Sequence, residues 1–232
     1  MDQVNACIIS FYMDNIDHNT VELQRKVVEK FNPSKFPHYS IKTNTRHGIS
    51  IDHFWAMNGA DNEYFKSLKV QNHCDHDVVV ILDIDCVPLN CEAINNLAHK
   101  ANSGVLIGNV QRSNHIANNQ HLFVAPSCMA IHREVFKEMG SPSAVETYRS
   151  DVAEEYTFLA EDNGVPIEFY IPSRFDEAPQ EAPSWNLKDG MPEFGRGTTF
   201  KSGNGVEEFW HSFQIFHPGQ QEKFHKKCLS LL

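Results

Sequence analysis

Val78-Val79-Val80-Ile81-Leu82-Asp83-Ile84-Asp85-Cys86-Val87-Pro88-Leu89 is the stretch on which the reading of this chain turns. Five apolar residues in a row are what a strand buried on both faces needs. Its carboxyl end carries Asp83 and Asp85, whose side chains share one side if the backbone stays extended. In an open α/β sheet, ligands sit at the carboxyl ends of the strands. Two adjacent anionic oxygen ligands, with water and ligand phosphate completing the shell, suit Mg²⁺ or Mn²⁺. Pro88 is expected to stop the strand. Taken alone, an Asp-x-Asp is served as well by solvated loop residues or a helix cap, so the rest of the chain has to decide.

Upstream, Val4–Tyr12 reads as a first buried strand. Asn15, Asp17, His18, Asn19 and Thr20 supply turn and cap chemistry. Val21, Val27, Val28 and Phe31 then mark one face of a helix ending before Pro33. Tyr39–Lys42 is a second strand. This β-α-β opening predicts an α/β fold with a mostly parallel central sheet flanked by helices and a Rossmann-like nucleotide-binding half. In Asn44–Trp55, Ile51, Phe54 and Trp55 have helical spacing and Ser50 could cap. Arg46, His47 and Asp52 sit in or beside that strand-to-helix loop, where a helix amino terminus favours phosphate.

Downstream, a helix is expected around Glu92–Ala101 and a strand at Gly104–Gly108, then a polar, turn-rich stretch from Asn109 to Gln120. Small and apolar residues run from Leu122 to Ile131. Arg133–Met139 is a short helix ended by Gly140. Asp151–Gly164 reads as a helix with acidic residues at its start, followed by a strand at Val165–Ile171. Between Pro172 and Gly205 the pattern dissolves into prolines and glycines, with Trp185 looking exposed. A loop that long inside a domain is read as a mobile flap. Val206–Ile215 returns to strand character, with His211 and His217 at or beyond its end. Pro218 is placed at the first position of a closing helix that carries Lys223.

The whole chain has 232 residues, 41% hydrophobic and 11% aromatic, which supports one domain with a full core. It divides on this reading into a nucleotide-binding half, 1–110, and an acceptor half, 111–232, with the flap at about 172–205. Thirty acidic against twenty basic residues give a net charge of −10, which argues against a general nucleic-acid binder or a binder of acidic membranes. No apolar run approaches the roughly 20 residues that span a bilayer. The opening residues lack the basic start and apolar core of a secretory signal, and the six cysteines show no C-x-x-C pair. Both point to reduced thiols and a cytoplasmic location.

Two families share the Asp-x-Asp. Asp83-Ile84-Asp85-Cys86-Val87 matches the short motif of haloacid-dehalogenase-type phosphatases, in which the first aspartate would be the nucleophile and the second the acid/base. A complete β-α-β region before the motif, and no later lysine with an acidic pair, tell against it. The other resemblance reaches over nearly the full length. Ser10-Phe11-Tyr12, His47-Gly48-x-x-x-Asp52, Asp83-x-Asp85, Ser127–Ile131 with Arg133–Phe136, the acidic segment at Asp151, and Gly195-Arg196-Gly197-Thr198-Thr199 with His211 resemble, in order and spacing, the GT-A-type nucleotide-sugar glycosyltransferases.

That resemblance implies a single GT-A-like domain that moves a sugar from a nucleotide-diphosphate donor to a hydroxyl acceptor, whether glycan, lipid-linked or protein. It implies Mn²⁺ or Mg²⁺, because a leaving diphosphate needs its developing charge neutralised. Asp85 would bind the ion directly and Asp83 through water or the ribose, with His211 or His217 as a further ligand. Ser10, Phe11, Tyr12, Arg46, His47, Asp52, Asp83, Thr198 and Lys223 would hold the donor. Asp151, with Glu154 next, would be the catalytic base. A degenerate, non-catalytic GT-A-like binding protein is the remaining alternative.

Overall fold

Two-sided burial of β3 (Val78–Leu82) sets the layering, since all five of its residues are inaccessible. The computed structural model describes residues 4–59, 75–113, 121–178, 185–187 and 191–232. Val78, Val80 and Leu82 pack with Ala93, Ile94, Leu97 and Ala101 of α3 (Ala93–Asn102) on one face of the sheet. Val79 and Ile81 face the other way, toward α2 (His47–Met57), α4 (Arg133–Glu138) and α5 (Glu154–Asn163). There Trp55 stacks on Phe136 at 4.0 Å and 6°. A third cluster joins α1 (His18–Lys30) to α6 (Gln220–Leu231) through Val21, Val27, Phe224 and Cys228. The alternation of the strand's side chains thus divides the hydrophobic interior into separate layers.

The remaining strands are β1 (Ala6–Tyr12), β2 (His38–Lys42), β4 (Cys86–Pro88), β5 (Leu106–Arg112), β6 (Leu122–His132), β7 (Ile167–Arg174), β8 (Trp185–Asn186), β9 (Glu193–Phe194), β10 (Thr198–Lys201) and β11 (Glu207–His211). Nine of the described strands form one sheet in the order β2-β1-β3-β6-β5-β7-β10-β11-β4, and β8 pairs with β9 apart from it. β1 is parallel to β2 and β3, and β5 is parallel to β7. β6 runs against β3 and β5, β10 against β7 and β11, and β4 against β11. Six strands therefore share one direction. The fold is mixed α/β with a mostly parallel sheet, as expected, and with antiparallel strands interleaved that local pattern did not reveal.

Several local expectations are corrected. Pro88 does not end the buried strand: the chain turns after Leu82, with Cys86 N donating to Asp83 O at 2.9 Å, and Pro88 closes the separate edge strand β4. An edge strand is where proline's missing donor does least harm. Ser50 does not cap α2, which begins at His47. The Ser50 hydroxyl lies 2.8 Å from the hydroxyls of both Thr43 and Thr45. β5 runs on to Arg112 into the stretch read as turn-rich, and the rest of that stretch, 114–120, lies outside the described residues. Asp151 precedes α5, whose start is the left-handed Ala153 at φ 60°. The 172–205 segment holds the end of β7, the β8–β9 pair and β10, which is an interior strand of the main sheet. Residues 179–184 and 188–190 of that flap, and the side chain of Trp185, lie outside the described residues. β11 ends at His211, and α6 starts at Gln220 behind Gly219, so Pro218 lies outside the helix. The expected division at 110/111 falls inside β5.

Candidate metal centre and nucleotide pocket

The turn from β3 to β4 brings Asp83 and Asp85 to the carboxyl edge of the sheet. Asp83 N donates to Ser127 O of β6 at 3.0 Å, and Gln24 Nε2 donates to Asp83 O at 2.9 Å. β11 then carries His211 alongside, because His211 is in register with Cys86 and Ser212 N donates to Asp85 O at 3.0 Å. His211 Nε2 lies 3.1 Å from Asp85 Oδ1 and 3.7 Å from Asp83 Oδ2. One ligand atom from each of the three residues falls within 4.8 Å of the others. Among the described residues this is the one such group of metal-ligating side chains. His211, rather than His217, completes it.

The donor set is consistent with a divalent ion. Two ligands about 2.1 Å from an octahedral ion lie about 3 Å apart, close to the His211–Asp85 separation of 3.1 Å. The two carboxylates suit Mn²⁺ or Mg²⁺, and the imidazole favours Mn²⁺ of the two. Burial pushes the Asp83 carboxyl up, only partly offset by His47 and His211. Burial also pulls His211 down, but the Asp85 and Asp83 carboxylates outweigh it and raise the imidazole.

A pocket of about 190 Å³ opens beside this group. Its walls include Phe11 and Tyr12 at the end of β1, Thr43 and Thr45 before α2, His47, Asp83 and Asp85, and Ile215 with Phe216 beyond β11. His47 Nε2 stands 3.5 Å from Asp83 Oδ1, and its ring meets Phe11 edge-on at 5.9 Å. Of the residues selected from sequence, Phe11, Tyr12, His47, Asp83 and Asp85 line the pocket and His211 abuts it through the carboxylates. Met13, Ile16, Thr43, Thr45, Ile215 and Phe216 were not singled out. Apolar and hydroxyl residues in loops carry no spacing signature, although Ile215-Phe216 does follow His211 closely.

The other selected residues do not line this pocket. Ser10 is inaccessible; its hydroxyl accepts from Gln24 Nε2 at 3.0 Å and lies 3.1 Å from His38 Nε2. Arg46 pairs with Glu146 at 2.7 Å. Thr198, also inaccessible, donates to Gly195 O at 2.6 Å. Lys223 pairs with Glu177, and His217 Nδ1 lies 3.4 Å from an Arg196 amino group. Glu154 is fully buried, with His121 Nδ1 at 2.6 Å and Asp151 N donating to it at 2.6 Å. Its carboxylate is thus taken up in fixing the start of α5. Asp151 itself is half-buried and accepts from Val152 N at 2.7 Å.

The His47-Gly48-x-x-x-Asp52 spacing divides into two jobs. His47 faces the pocket, while Gly48 and Asp52, one helical turn apart, hold the 143–145 loop. A Cβ on Gly48 would stand 2.5 Å from Ala144 O. The Asp52 carboxylate accepts from Ser143 Oγ at 2.6 Å and Ala144 N at 2.7 Å. Burial lifts the Asp52 carboxyl from 3.8 to about 6, against the lowering effect of those hydrogen bonds. The folded state therefore binds the extra proton between those values, and this group's contribution to stability is lost as pH rises through about 6. Asp52→Asn should remove that part of the pH dependence, read as the change in urea midpoint between pH 4.5 and 7.5. An unchanged midpoint difference would show that Asp52 is not its source.

No protein-family model matches the sequence, and no curated protein matches it. Among solved structures, the chain is similar to an active-site mutant of LgtC, with a TM-score of 0.45 and 13% identity over 97% of this chain and 94% of that one. It is similar to a mutant Drosophila β-1,4-galactosyltransferase 7 in complex with manganese, UDP-Gal and xylobiose, with a TM-score of 0.44 and 15% identity over 91% and 73%. A glycosyltransferase involved in glycosylating the major capsid of PBCV-1 gives a TM-score of 0.44 and 9% identity over 95% and 99%. Likeness at this level decides neither fold nor activity, so the functional reading rests on the site itself.

Proposed function

We propose that this chain is a metal-dependent glycosyltransferase that takes a sugar from a nucleotide-diphosphate donor. The observation that carries the reading is the meeting of Asp83, Asp85 and His211 beside a partly aromatic pocket on the carboxyl edge of the sheet. Asp85 and His211 would hold Mn²⁺ or Mg²⁺, with Asp83 completing the set directly or through water. The ion would supply charge neutralisation for the leaving diphosphate. Phe11, Tyr12 and Phe216 offer apolar surface to a nucleoside, Thr43 and Thr45 hydroxyls to its polar edges, and His47 a further donor close to Asp83. Among the described lining residues there is no lysine or arginine. Tight diphosphate binding should therefore depend on the ion.

Calorimetry with a panel of nucleoside diphosphates tests this. We expect binding of at least one with Mn²⁺ and its loss on addition of EDTA. Ion-independent binding, or none across the panel, would overturn the reading. Metal-dependent release of phosphate from an aryl phosphate, abolished in Asp83→Asn, would favour phosphatase chemistry instead.

For the acceptor step, Asp151 is the proposed base, whereas Glu154 is already held by His121 and Asp151 N. Asp151→Asn should leave donor binding intact and lower transfer by about 10²- to 10⁴-fold. Full transfer activity in that variant would move the role elsewhere.

A further inference from the structure

Immediately after His211 the chain does something costly. Phe213 and Gln214 both hold left-handed backbone, at φ 55° and 54°. They are the one adjacent pair of non-glycine residues to do so among the described residues. Side chains with a Cβ avoid this region unless their surroundings impose it.

The surroundings here are specific. Ser212 is fixed on both sides, with its N donating to Asp85 O at 3.0 Å and its O accepting from Gly197 N at 2.9 Å. The Phe213 ring lies 3.9 Å from the His211 ring. Arg196 is only 3% exposed, yet its side chain reaches the middle and far end of the turn. Its Nε donates to Gln214 Oε1 at 2.8 Å, one amino group lies 3.4 Å from His217 Nδ1, and the other is 3.7 Å from Glu177 Oε1. The two residues between those grips, Ile215 and Phe216, form a wall of the pocket. One strained turn therefore carries the metal-ligating imidazole before it and the apolar wall within it.

We propose that Arg196 is a positioning residue: by gripping Gln214 and His217 it holds the 213–216 turn so that an ion at His211 and a nucleoside against Phe216 favour each other's binding. This deepens the function proposed above and rests on it. The ligand portion concerned is flat and uncharged. The coupling runs through the His211–Phe213 ring contact and the fixed backbone that follows, and such coupling is reciprocal between the two ligands.

Neutral nucleosides make the test clean, because they carry no phosphate to meet the ion. An effect of Mn²⁺ that persists for the 2′,3′-dideoxypyrimidine nucleosides, which lack the ribose diol and the purine N7, then passes through the protein. Affinities for the common ribonucleosides and for the dideoxypyrimidine nucleosides, with and without Mn²⁺, would be measured by equilibrium dialysis on the full chain. We expect the wild type to bind at least one about fivefold or more tightly with Mn²⁺. Arg196→Met should lose that gain while keeping its affinity for Mn²⁺ alone within about threefold of wild type, on the scale of such couplings. Gln214→Gly covers the case in which loss of the buried arginine prevents folding. Glycine relieves the left-handed backbone, which partly offsets the lost Arg196 hydrogen bond and the added freedom of the unfolded chain, so this variant should still fold cooperatively, and still lose the gain. A wild type whose nucleoside affinity is indifferent to Mn²⁺, or a Gln214→Gly variant that keeps the full gain, would overturn the role given to Arg196. Absence of Mn²⁺-dependent nucleoside diphosphate binding in the wild type would instead overturn the proposed function, so the two failures are distinguishable.

Discussion

Asp85→Asn is expected to weaken Mn²⁺-dependent binding of a nucleoside diphosphate by about 100-fold or more, equivalent to about 2.7 kcal/mol. The substitution is chosen to change charge and little else. Asp85 is 4% exposed, with its Oδ1 3.1 Å from His211 Nε2. An amide oxygen can still face that imidazole, so the local fold should stand and the melting temperature stay near that of the wild type. The variant lacks the anionic oxygen that a hard divalent ion requires, and the pocket offers no lysine or arginine among its described lining to replace the ion's charge. Calorimetry with Mn²⁺ alone and then with the diphosphate separates ion binding from nucleotide binding. Donor affinity equal to that of the wild type in the presence of Mn²⁺ would remove Asp85 from the metal centre. Asp83→Asn should have a smaller effect, because that carboxylate is farther from His211, at 3.7 Å, and also faces His47.

The second large effect concerns stability and originates beneath the site. Gly108 lies in β5, opposite Met129 of β6. A Cβ there would stand 2.0 Å from the backbone oxygen of Cys128. Backbone on a central strand cannot step aside as a flexible side chain can, so Gly108→Ala should cost about 3 kcal/mol or more. For a chain of this size that corresponds to roughly 6–12 °C in melting temperature. The damage should extend to the candidate metal centre, since Ser127, next to Cys128, accepts the hydrogen bond of Asp83 N. Gly203→Ala is the control. A Cβ there would meet nothing within 4 Å, and its effect should stay within about 0.5 kcal/mol. Similar melting temperatures for the two variants would show that the β5–β6 approach is looser than its geometry implies.

Local pattern carried much of this molecule. The Val78–Leu82 run announced a two-sided strand because it is apolar throughout, rich in β-branched residues and too short for a typical helix. The β-α-β opening announced parallel pairing, and Asp83-x-Asp85 announced an anionic, oxygen-rich strand end. Phe11, Tyr12 and His47 were legible because they lie at the end of a predicted strand or in a strand-to-helix loop. Sequence could not foresee that Ser10 and Thr198 turn inward, or that Arg46 and Lys223 are engaged by Glu146 and Glu177. Nor could it foresee that Glu154 is taken by His121. A side chain's partner is a long-range fact, and residue type fixes only what it could bind. The 172–205 stretch misled for a related reason. β10 is four residues long, and although Thr198, Thr199 and Phe200 suit a strand, so short a run does not stand out among the flanking glycines and is completed only by pairing with β7 and β11.

By itself, then, the sequence determined that a buried strand in an α/β sheet is followed at its carboxyl end by two carboxylates one residue apart. Periodicity and residue chemistry act over a few positions, and both properties are local. Only the tertiary structure decided that His211, 126 residues after Asp85, is the third member of that group. That choice depended on the register of β11 against β4, which places His211 opposite Cys86. His217, six residues further on, was as good a candidate by chemistry. It is excluded from the group because β11 ends at His211 and the strained turn carries His217 to Arg196 instead.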